Sequence, residues 1–442
     1  MDVNDQAAIR KMNGGFAEMT FDQTLDRRAA FKKGRAKGAA FALLPLLGPG
    51  VISMLANNDA GGMIAYTMTG AAFGINFFIP LLFLFAPISY MIQEFSMRLS
   101  AVTQKEYREL IRERFGRGWS YSSVGMLAVS NIMYTITEFM GMTAGLALLG
   151  LPMWLADAVS LLLIASVTLF VGYSGKERLT LFVGAVNVVF IIVAFMTKPG
   201  LAQLSQSLTT LPDIARGFGR GDMLIFLLAT LGNTIAPFML YFQNSATIDK
   251  ELTARDIKRG RLDIKIGSVL QPLFAAVVVV CGAALMNDGV ARSAADIINS
   301  FTKHIGPVGG GLFALGLFDS GWLAAITITF ATSYTVAGAF GWKRSQNCKI
   351  KEAPQFYGIF FGSLLIGAAV MLVPRLPLAM MAVFTQIICA CIMAPDIVML
   401  VKLTGDKNIM GAFANSGTRQ AIGWLLAAVF GAMAVVTVIT CL

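Results

Sequence analysis

Acidic and carboxamide side chains interrupt an otherwise apolar segment near the start of the chain. Asn57, Asn58 and Asp59 follow one apolar run, and Gly61 and Gly62 stand directly before the next. Carboxylate and carboxamide oxygens are ligands that Mg²⁺, Ca²⁺ and Mn²⁺ accept. Each glycine lowers helix stability by about 1 kcal/mol. The pattern predicts an unwound helix centre that coordinates a cation; a short loop between two re-entrant pieces is the alternative.

A second apolar run is interrupted near the middle of the chain. Asn233 and Pro237 stand inside it, with Ala236 between them. Proline removes a helical hydrogen bond and clashes with the preceding turn, although a single proline kink is common in membrane helices. The break opens a second set of apolar runs, and paired broken helices mark the substrate site of many transporters. We therefore expect both breaks to border one site, in which Asn57, Asn58 and Asn233 could reach the cation or its water.

Two further polar side chains complete the candidate set. Glu138 and Gln386 each lie inside a later apolar run. Ionisable residues in a membrane bundle usually face its interior, so Glu138 is a candidate second carboxylate and Gln386 a candidate ligand of the metal or its water. A protonated, hydrogen-bonded Glu138 and a purely structural Gln386 are the alternatives. Asp396, which follows a proline, is expected at the cytoplasmic interface instead.

The elements that must position these groups are membrane helices. Hydrophobic residues make up 56% of the 442 residues and charged residues 14%, with a mean hydropathy of +0.69. The apolar residues come in blocks of about 20, which is the length that spans a bilayer core. Continuous blocks favour helices over the alternating strands of a barrel. The sequence predicts an all-α polytopic membrane protein with eleven transmembrane helices, at about 41–74, 76–97, 122–148, 152–173, 179–197, 223–246, 264–286, 309–338, 355–374, 377–401 and 420–441.

Lysine and arginine residues predict the orientation of these helices. With the N-terminus in the cytoplasm, 29 of the 35 fall on the cytoplasmic side, as the positive-inside rule requires. Residues 1–40 then form a basic cytoplasmic tail without a signal peptide, and 41–442 form the transmembrane transporter domain in the inner (plasma) membrane, with the C-terminus outside. The net charge of +10 implies no nucleic-acid partner, because this bias and anionic lipid headgroups account for it.

Enzymatic chemistry finds no support in the sequence. The chain lacks an HExxH motif, a GxSxG motif and a complete phosphate loop. Its one histidine, His304, falls in a predicted outer loop, and its five cysteines form no CxxC pair. A carrier or channel in the lipid bilayer remains, and no cofactor or obligate protein partner is expected.

The two breaks open two sets of five predicted spans. Because five is odd, the two sets insert with opposite orientations, which is the arrangement of inverted-repeat transporters. The repeats cover about 41–197 and 223–401, and a helix at about 420–441 is additional. The predicted architecture is a 5+5 inverted repeat with unwound first and sixth helices.

Short motifs along the chain resemble the NRAMP family of divalent-metal transporters. Gly48-Pro49-Gly50 followed by Asp59-Ala60-Gly61-Gly62 resembles the family's first-helix GPG…DPGN signature, and Ala236-Pro237-Phe238 stands where the family has Met-Pro-His. Further similar segments are Gln93 to Gln104, Gly316 to Gly321, and Thr385-Gln386. The resemblance covers most of the chain after residue 40 and implies a LeuT-like fold, in agreement with the inverted repeat.

Two departures from the family pattern concern the metal ligands. The family's aspartate is present as Asp59, but its asparagine is replaced by Gly62 and its metal-binding methionine by Ala236. The resemblance then implies an oxygen-lined site without a thioether, in which two small residues leave room for water. Mg²⁺ usually keeps several waters and binds through one or two carboxylates, which Asp59 and Glu138 would supply.

Two more departures concern protons. The family couples metal transport to H⁺ through acidic and histidine residues, but here Thr135 stands at the third-helix aspartate position and Phe238 at the histidine position. Neither side chain exchanges protons near neutral pH. This pattern resembles the bacterial NRAMP-related magnesium transporters, which are thought to move Mg²⁺ without proton coupling.

Three functions compete on the sequence alone. The first is uptake of Mg²⁺, and also Mn²⁺, as a partly hydrated ion and without proton coupling. The second is an H⁺-coupled carrier of transition metals such as Mn²⁺ and Fe²⁺, against which the missing methionine and histidine argue. The third is a LeuT-fold organic-solute symporter, in which Asp59 would serve an amine or Na⁺.

Overall fold

A computed structural model describes residues 48–198, 220–285, 293–373 and 376–441, and these contain helices and no strands. The α-helices are α1 (Pro49–Ala56), α2 (Ala60–Phe73), α3 (Phe78–Thr103), α4 (Tyr107–Phe115), α5 (Arg117–Ala147), α6 (Met153–Phe170), α7 (Tyr173–Val186), α8 (Val188–Met196), α9 (Arg220–Thr234), α10 (Pro237–Asp249), α11 (Ile257–Ala283), α12 (Ala294–Ala339), α13 (Pro354–Met371), α14 (Leu378–Gly405), α15 (Lys407–Met410) and α16 (Gly417–Cys441). The predicted tail, 1–40, lies outside the described residues.

The first predicted break is present and is shorter than expected. Helix α1 ends at Ala56 and α2 begins at Ala60, so only 57–59 are non-helical. Asp59 is the N-cap of α2 and accepts a hydrogen bond from the Gly62 backbone N–H. Such a cap satisfies one of the free N–H groups at a helix start. Gly61 and Gly62 therefore belong to the first turn of α2, and the prediction that they are unwound is wrong.

The second predicted break is confirmed at its expected position. Helix α9 ends at Thr234, and α10 begins at Pro237 after an extended Ala236 (φ −96°, ψ 148°). Proline is favoured at the first helical position, because its missing N–H would have no intrahelical acceptor there. The proline thus starts a new helix.

The span count of eleven stays a prediction. Within the described residues, nine helical segments are long and apolar enough to cross a membrane. The other two predicted spans correspond to the broken pair α1 and α2 and to the more polar α5. Helix α12 begins earlier than expected, at Ala294, and is interrupted at Gly306, whose φ of 82° favours glycine.

Glycines bring the helices around the breaks into close contact. A Cβ at Gly321 of α12 would lie 2.7 Å from the Glu138 carbonyl oxygen of α5, and a Cβ at Gly145 of α5 would lie 2.7 Å from the Ala314 carbonyl oxygen. Small residues at helix contacts are typical of membrane bundles, where backbones approach closely. This packing holds α5 and α12 together and fixes the position of Glu138 beside α2.

Candidate functional site

The two helix breaks are joined directly. The Asn57 side-chain Nδ2 donates a hydrogen bond to the Asn233 carbonyl oxygen at 2.5 Å. The carbonyl oxygen of the next residue, Thr234, accepts hydrogen bonds from Ser89 Oγ at 3.0 Å and from Gln271 Nε2 at 3.2 Å. Carbonyls at the last turn of a helix have no intrahelical partner. Side chains from the first break, α3 and α11 therefore bind the open end of α9.

Asp59 lies at the centre of this region and is fully buried. Its Oδ1 accepts hydrogen bonds from the Gly62 backbone N–H and from Gln386 Nε2, the second at 3.4 Å. The Gln386 Oε1 in turn accepts a hydrogen bond from the Tyr134 hydroxyl at 2.8 Å. Tyr134 therefore orients the amide of Gln386 so that its nitrogen faces Asp59.

Glu138 lies next to Asp59, as the sequence predicted. Its Oε2 accepts a hydrogen bond from the Ala60 backbone N–H at 2.8 Å, and its Oε1 accepts one from the Thr137 hydroxyl at 3.3 Å. A carboxylate at a helix N-terminus is favoured by the helix dipole. Glu138 thus binds the first turn of α2 from outside while Asp59 caps it from within, which brings both predicted carboxylates to one place.

Several buried polar atoms around Asp59 have no hydrogen-bond partner within the part of the chain that the structure describes. They are Asn57 Oδ1, Asn58 Oδ1 and Nδ2, Asp59 Oδ2, the Tyr66 hydroxyl, and Asn233 Oδ1 and Nδ2. A buried polar group without a partner costs about 1–3 kcal/mol. Among the described residues no three His, Cys, Asp or Glu side chains form a metal cluster. The donor set is therefore two carboxylates with carboxamides, which suits a hard cation that keeps some water.

The structure corrects the expectation of open space at Gly62. A Cβ built there would lie 2.6 Å from Asn233 Cγ and closer still to the two terminal atoms of that carboxamide. Asn233, from the last turn of α9, lies across the first turn of α2. The absence of a side chain at Gly62 therefore makes room for another protein group, and the expectation that it leaves room for water is wrong.

A thioether lies near Ala236 although that residue carries none. The Sδ of Met239 accepts a hydrogen bond from the Ala236 backbone N–H at 3.4 Å. Both residues are fully buried at the start of α10. The sequence did not predict this sulfur, because Met239 lies one turn beyond the family's methionine position.

The two positions where the family has proton carriers are both buried here. Thr135 donates a hydrogen bond to the Asn131 carbonyl oxygen at 2.7 Å, and its methyl group faces Gly367 of α13. Helix α13 carries no charged residue. Phe238 packs edge-on against Tyr134, with ring centroids 5.7 Å apart. Neither position brings a titratable group to Asp59.

The structure also shows contacts that the sequence analysis did not predict. Gln271, which stands inside an apolar run before a proline, reaches the second break, and that pattern was the available signal. Asp396 is buried in the protein and accepts hydrogen bonds from Ser123 at 2.9 Å and Tyr241 at 3.1 Å, while its position at the cytoplasmic interface stays a prediction. Its burial follows from the packing of α5 and α10 against α14, which hydropathy does not report.

The N-terminus of α1 is fixed to α11 by one carboxylate. Asp263 accepts hydrogen bonds from the backbone N–H groups of Gly48 and Gly50 at 2.7 Å each and of Val51 at 3.3 Å. Beside it, Lys250 at the end of α10 forms an ion pair with Glu177 of α7. The Lys250–Glu177 pair lines a partly open cavity of about 40 Å³ on the α1 side of the break, together with Ile52.

Comparisons with known proteins agree with this architecture. The family model described as natural resistance-associated macrophage protein-like matches residues 50–440. The divalent metal cation transporter MntH of Deinococcus radiodurans is 27% identical over 446 residues, which cover 93% of this chain and 94% of that protein. MntH of Bacillus subtilis is 24% identical over 423 residues, covering 90% and 92%.

Solved structures show the same fold at low sequence identity. A manganese transporter of Eremococcus coleocola is 20% identical with a TM-score of 0.70, covering 91% of this chain and 88% of that one. The nucleobase-cation-symport-1 family transporter Mhp1 is 12% identical with a TM-score of 0.56, covering 88% and 90%. These likenesses confirm the predicted all-α, LeuT-like fold.

Proposed function

This chain belongs to the natural resistance-associated macrophage protein-like (Nramp) family, and on that premise we propose that it takes up Mg²⁺, and also Mn²⁺, without proton coupling. The family and the MntH relatives support divalent-metal transport by a multi-pass membrane protein, and no enzymatic reaction is involved. The finer choice of Mg²⁺ rests on this chain's own residues.

The observation that carries the proposal is the set of buried, unpartnered polar atoms around Asp59. The oxygens among them belong to one carboxylate, three carboxamides and one phenol. Hard oxygen donors suit Mg²⁺ and Mn²⁺ better than metals that prefer sulfur. Because Mg²⁺ dehydrates reluctantly, one carboxylate with neutral oxygens around it suits an ion that arrives with part of its water.

Each candidate residue then has a role. Asp59 is the carboxylate ligand through its free Oδ2, and Asn57 and Asn58 present oxygens to the metal or its water. Gln386 orients Asp59, and Glu138 adds a second negative charge near a divalent ion. Ala236 supplies no ligand side chain, and its carbonyl oxygen accepts the Met239 backbone N–H at 3.1 Å.

Transport without proton coupling is supported by the surroundings of Thr135 and Phe238. Both are fully buried, and α13 offers no charged side chain next to Thr135. A proton relay needs groups that titrate near working pH. Mg²⁺ entry would then move two charges inward across the inner membrane, with the N-terminus in the cytoplasm and the Asp263 contacts at the cytoplasmic end.

A second candidate function is favoured by one observation. The Met239 sulfur lies at the start of α10, and a thioether would help a site accept softer metals. In that case the protein would be an Mn²⁺ carrier that discriminates against Mg²⁺. The two functions differ in whether Mg²⁺ competes with Mn²⁺.

Uptake by proteoliposomes that contain a Mg²⁺-sensitive dye tests the proposal. The wild-type protein should transport Mg²⁺ and should lose Mn²⁺ uptake when Mg²⁺ is added in excess. Asp59→Ala should abolish both signals while the protein stays monodisperse. Asp157→Ala is the matched control, because Asp157 is a buried aspartate bonded to Thr143, away from the breaks. Normal Mg²⁺ uptake by Asp59→Ala would contradict the site, and Mn²⁺ uptake insensitive to Mg²⁺ would favour the second function.

A further inference from the structure

Gly62 and Asn233 occupy one space at the meeting point of the two broken helices. Gly62 lies in the first turn of α2, three residues after Asp59, and Asn233 lies one residue before the end of α9. A Cβ at Gly62 would lie 2.6 Å from Asn233 Cγ and closer still to Asn233 Oδ1 and Nδ2. All three atoms nearest to such a Cβ belong to the Asn233 carboxamide. The closest conflict is therefore with that carboxamide group.

The Asn233 side chain is buried, and a hydrogen bond to its backbone fixes its position. The side chain is fully buried, and neither Oδ1 nor Nδ2 has a hydrogen-bond partner within the described residues. The Tyr66 hydroxyl lies close enough to the same carboxamide to interact with it. The backbone of Asn233 is fixed by the bond from Asn57 Nδ2. A buried carboxamide with few partners is costly, so a ligand bound beside the Asp59-capped turn would offset that cost.

We propose that Gly62 and Asn233 act as a pair that determines metal specificity: glycine at 62 admits the Asn233 carboxamide to the first turn of α2, where its Oδ1 binds the metal or the metal's water. This inference rests on the proposed function, because it names a ligand of that same site. The ligand oxygen then belongs to α9, the first helix of the sixth predicted span. Gly62 has a steric role.

Four variants separate the steric effect of the shared space from the ligand effect of the carboxamide oxygen. Gly62→Asn introduces a clash. Asn233→Ala removes the carboxamide, which supplies the three atoms nearest to Gly62. The exchange variant Gly62→Asn/Asn233→Ala moves the carboxamide from α9 to α2. The variant Gly62→Ala/Asn233→Ala relieves the clash and supplies no carboxamide at either position. Mg²⁺ uptake, Mg²⁺ affinity by calorimetry and monodispersity are measured for each.

Loss of a group that orients or supports a metal ligand typically reduces affinity by about 10–100-fold. Asn233→Ala and Gly62→Ala/Asn233→Ala should therefore lose at least about tenfold in Mg²⁺ affinity and remain monodisperse. Gly62→Asn should lose uptake or fold poorly, and the exchange variant should recover both. If Gly62→Asn does not fold, recovery of monodisperse protein in the exchange variant still reports the shared space.

Two results would overturn the inference. One is wild-type Mg²⁺ affinity in Asn233→Ala, which would show that the carboxamide is not used. The other is an exchange variant no better than Gly62→Ala/Asn233→Ala. Either result leaves the proposed function standing if Asp59→Ala still abolishes Mg²⁺ uptake. If the wild-type protein transports Mn²⁺ alone, the proposed function fails by itself, and the same four variants test the pair with Mn²⁺.

Discussion

Removal of the Asp263 carboxylate should open the end of the bundle at which α1 begins. Asp263→Ala leaves three buried backbone N–H groups of α1 without the acceptors that hold them at 2.7, 2.7 and 3.3 Å. At about 1 kcal/mol for each group, the closed arrangement would lose about 3 kcal/mol. Since about 1.4 kcal/mol changes an equilibrium tenfold, the open population should rise by about 150-fold. Lys265→Ala is the control, because Lys265 is exposed on the same helix.

Alkylation of a cysteine placed at Ile52 reports this opening. Ile52 is buried and lines the cavity at this end of α1, so Ile52→Cys should react slowly with a maleimide in an otherwise cysteine-free protein. Addition of Asp263→Ala should accelerate the reaction by about 100-fold, in line with the shift in population. A rate within about threefold of the Lys265→Ala control would show that the Asp263 contacts do not hold α1 closed.

Three further outcomes follow from the packing of the site. Tyr134→Phe removes the donor that orients Gln386 and should weaken Mg²⁺ binding by about tenfold in calorimetry, whereas unchanged affinity would assign Gln386 no orienting role. Ala236→Met should raise Cd²⁺ and Mn²⁺ uptake relative to Mg²⁺ in competition assays, and an unchanged ratio would contradict donor softness as the basis of selectivity. Gly321→Leu should abolish the yield of monodisperse protein because its Cβ meets the α5 backbone, while Gly358→Leu, with open space around it, should be tolerated; equal yields would contradict the close helix contact.

The sequence was sufficient to predict the all-helical fold class and the positions of both breaks. Asn57, Asp59 and Pro237 are costly inside an apolar helix, so their presence marks a place where helix ends. The odd number of predicted spans between the breaks predicted the inverted repeat, and the resemblance to the NRAMP family implied the LeuT-like fold. The limits of the first break did not follow, because Asp59 caps a helix that already contains Gly62.

The contacts that individual side chains make could not be predicted from the sequence. A glycine such as Gly62 indicates equally an unwound backbone or a close contact, and only the position of Asn233 decides between them. The Met239 sulfur reaches Ala236 by folding back along α10, which residue type alone does not report. The burial of Asp396 depends on three packed helices that are distant in the sequence. The metal-ligand roles of the candidate residues stay predictions.

The central claim is that Mg²⁺ moves down the membrane voltage without protons. The direct measurement uses proteoliposomes with a pH dye inside and a potassium-valinomycin potential imposed. Two charges moving inward are worth about 4.6 kcal/mol per 100 mV, so a negative interior should accelerate Mg²⁺ uptake strongly while the lumen keeps its pH. Acidification of the lumen that rises with the Mg²⁺ dose and disappears in Glu138→Gln would contradict the account, because it would show that Glu138 begins a working proton path.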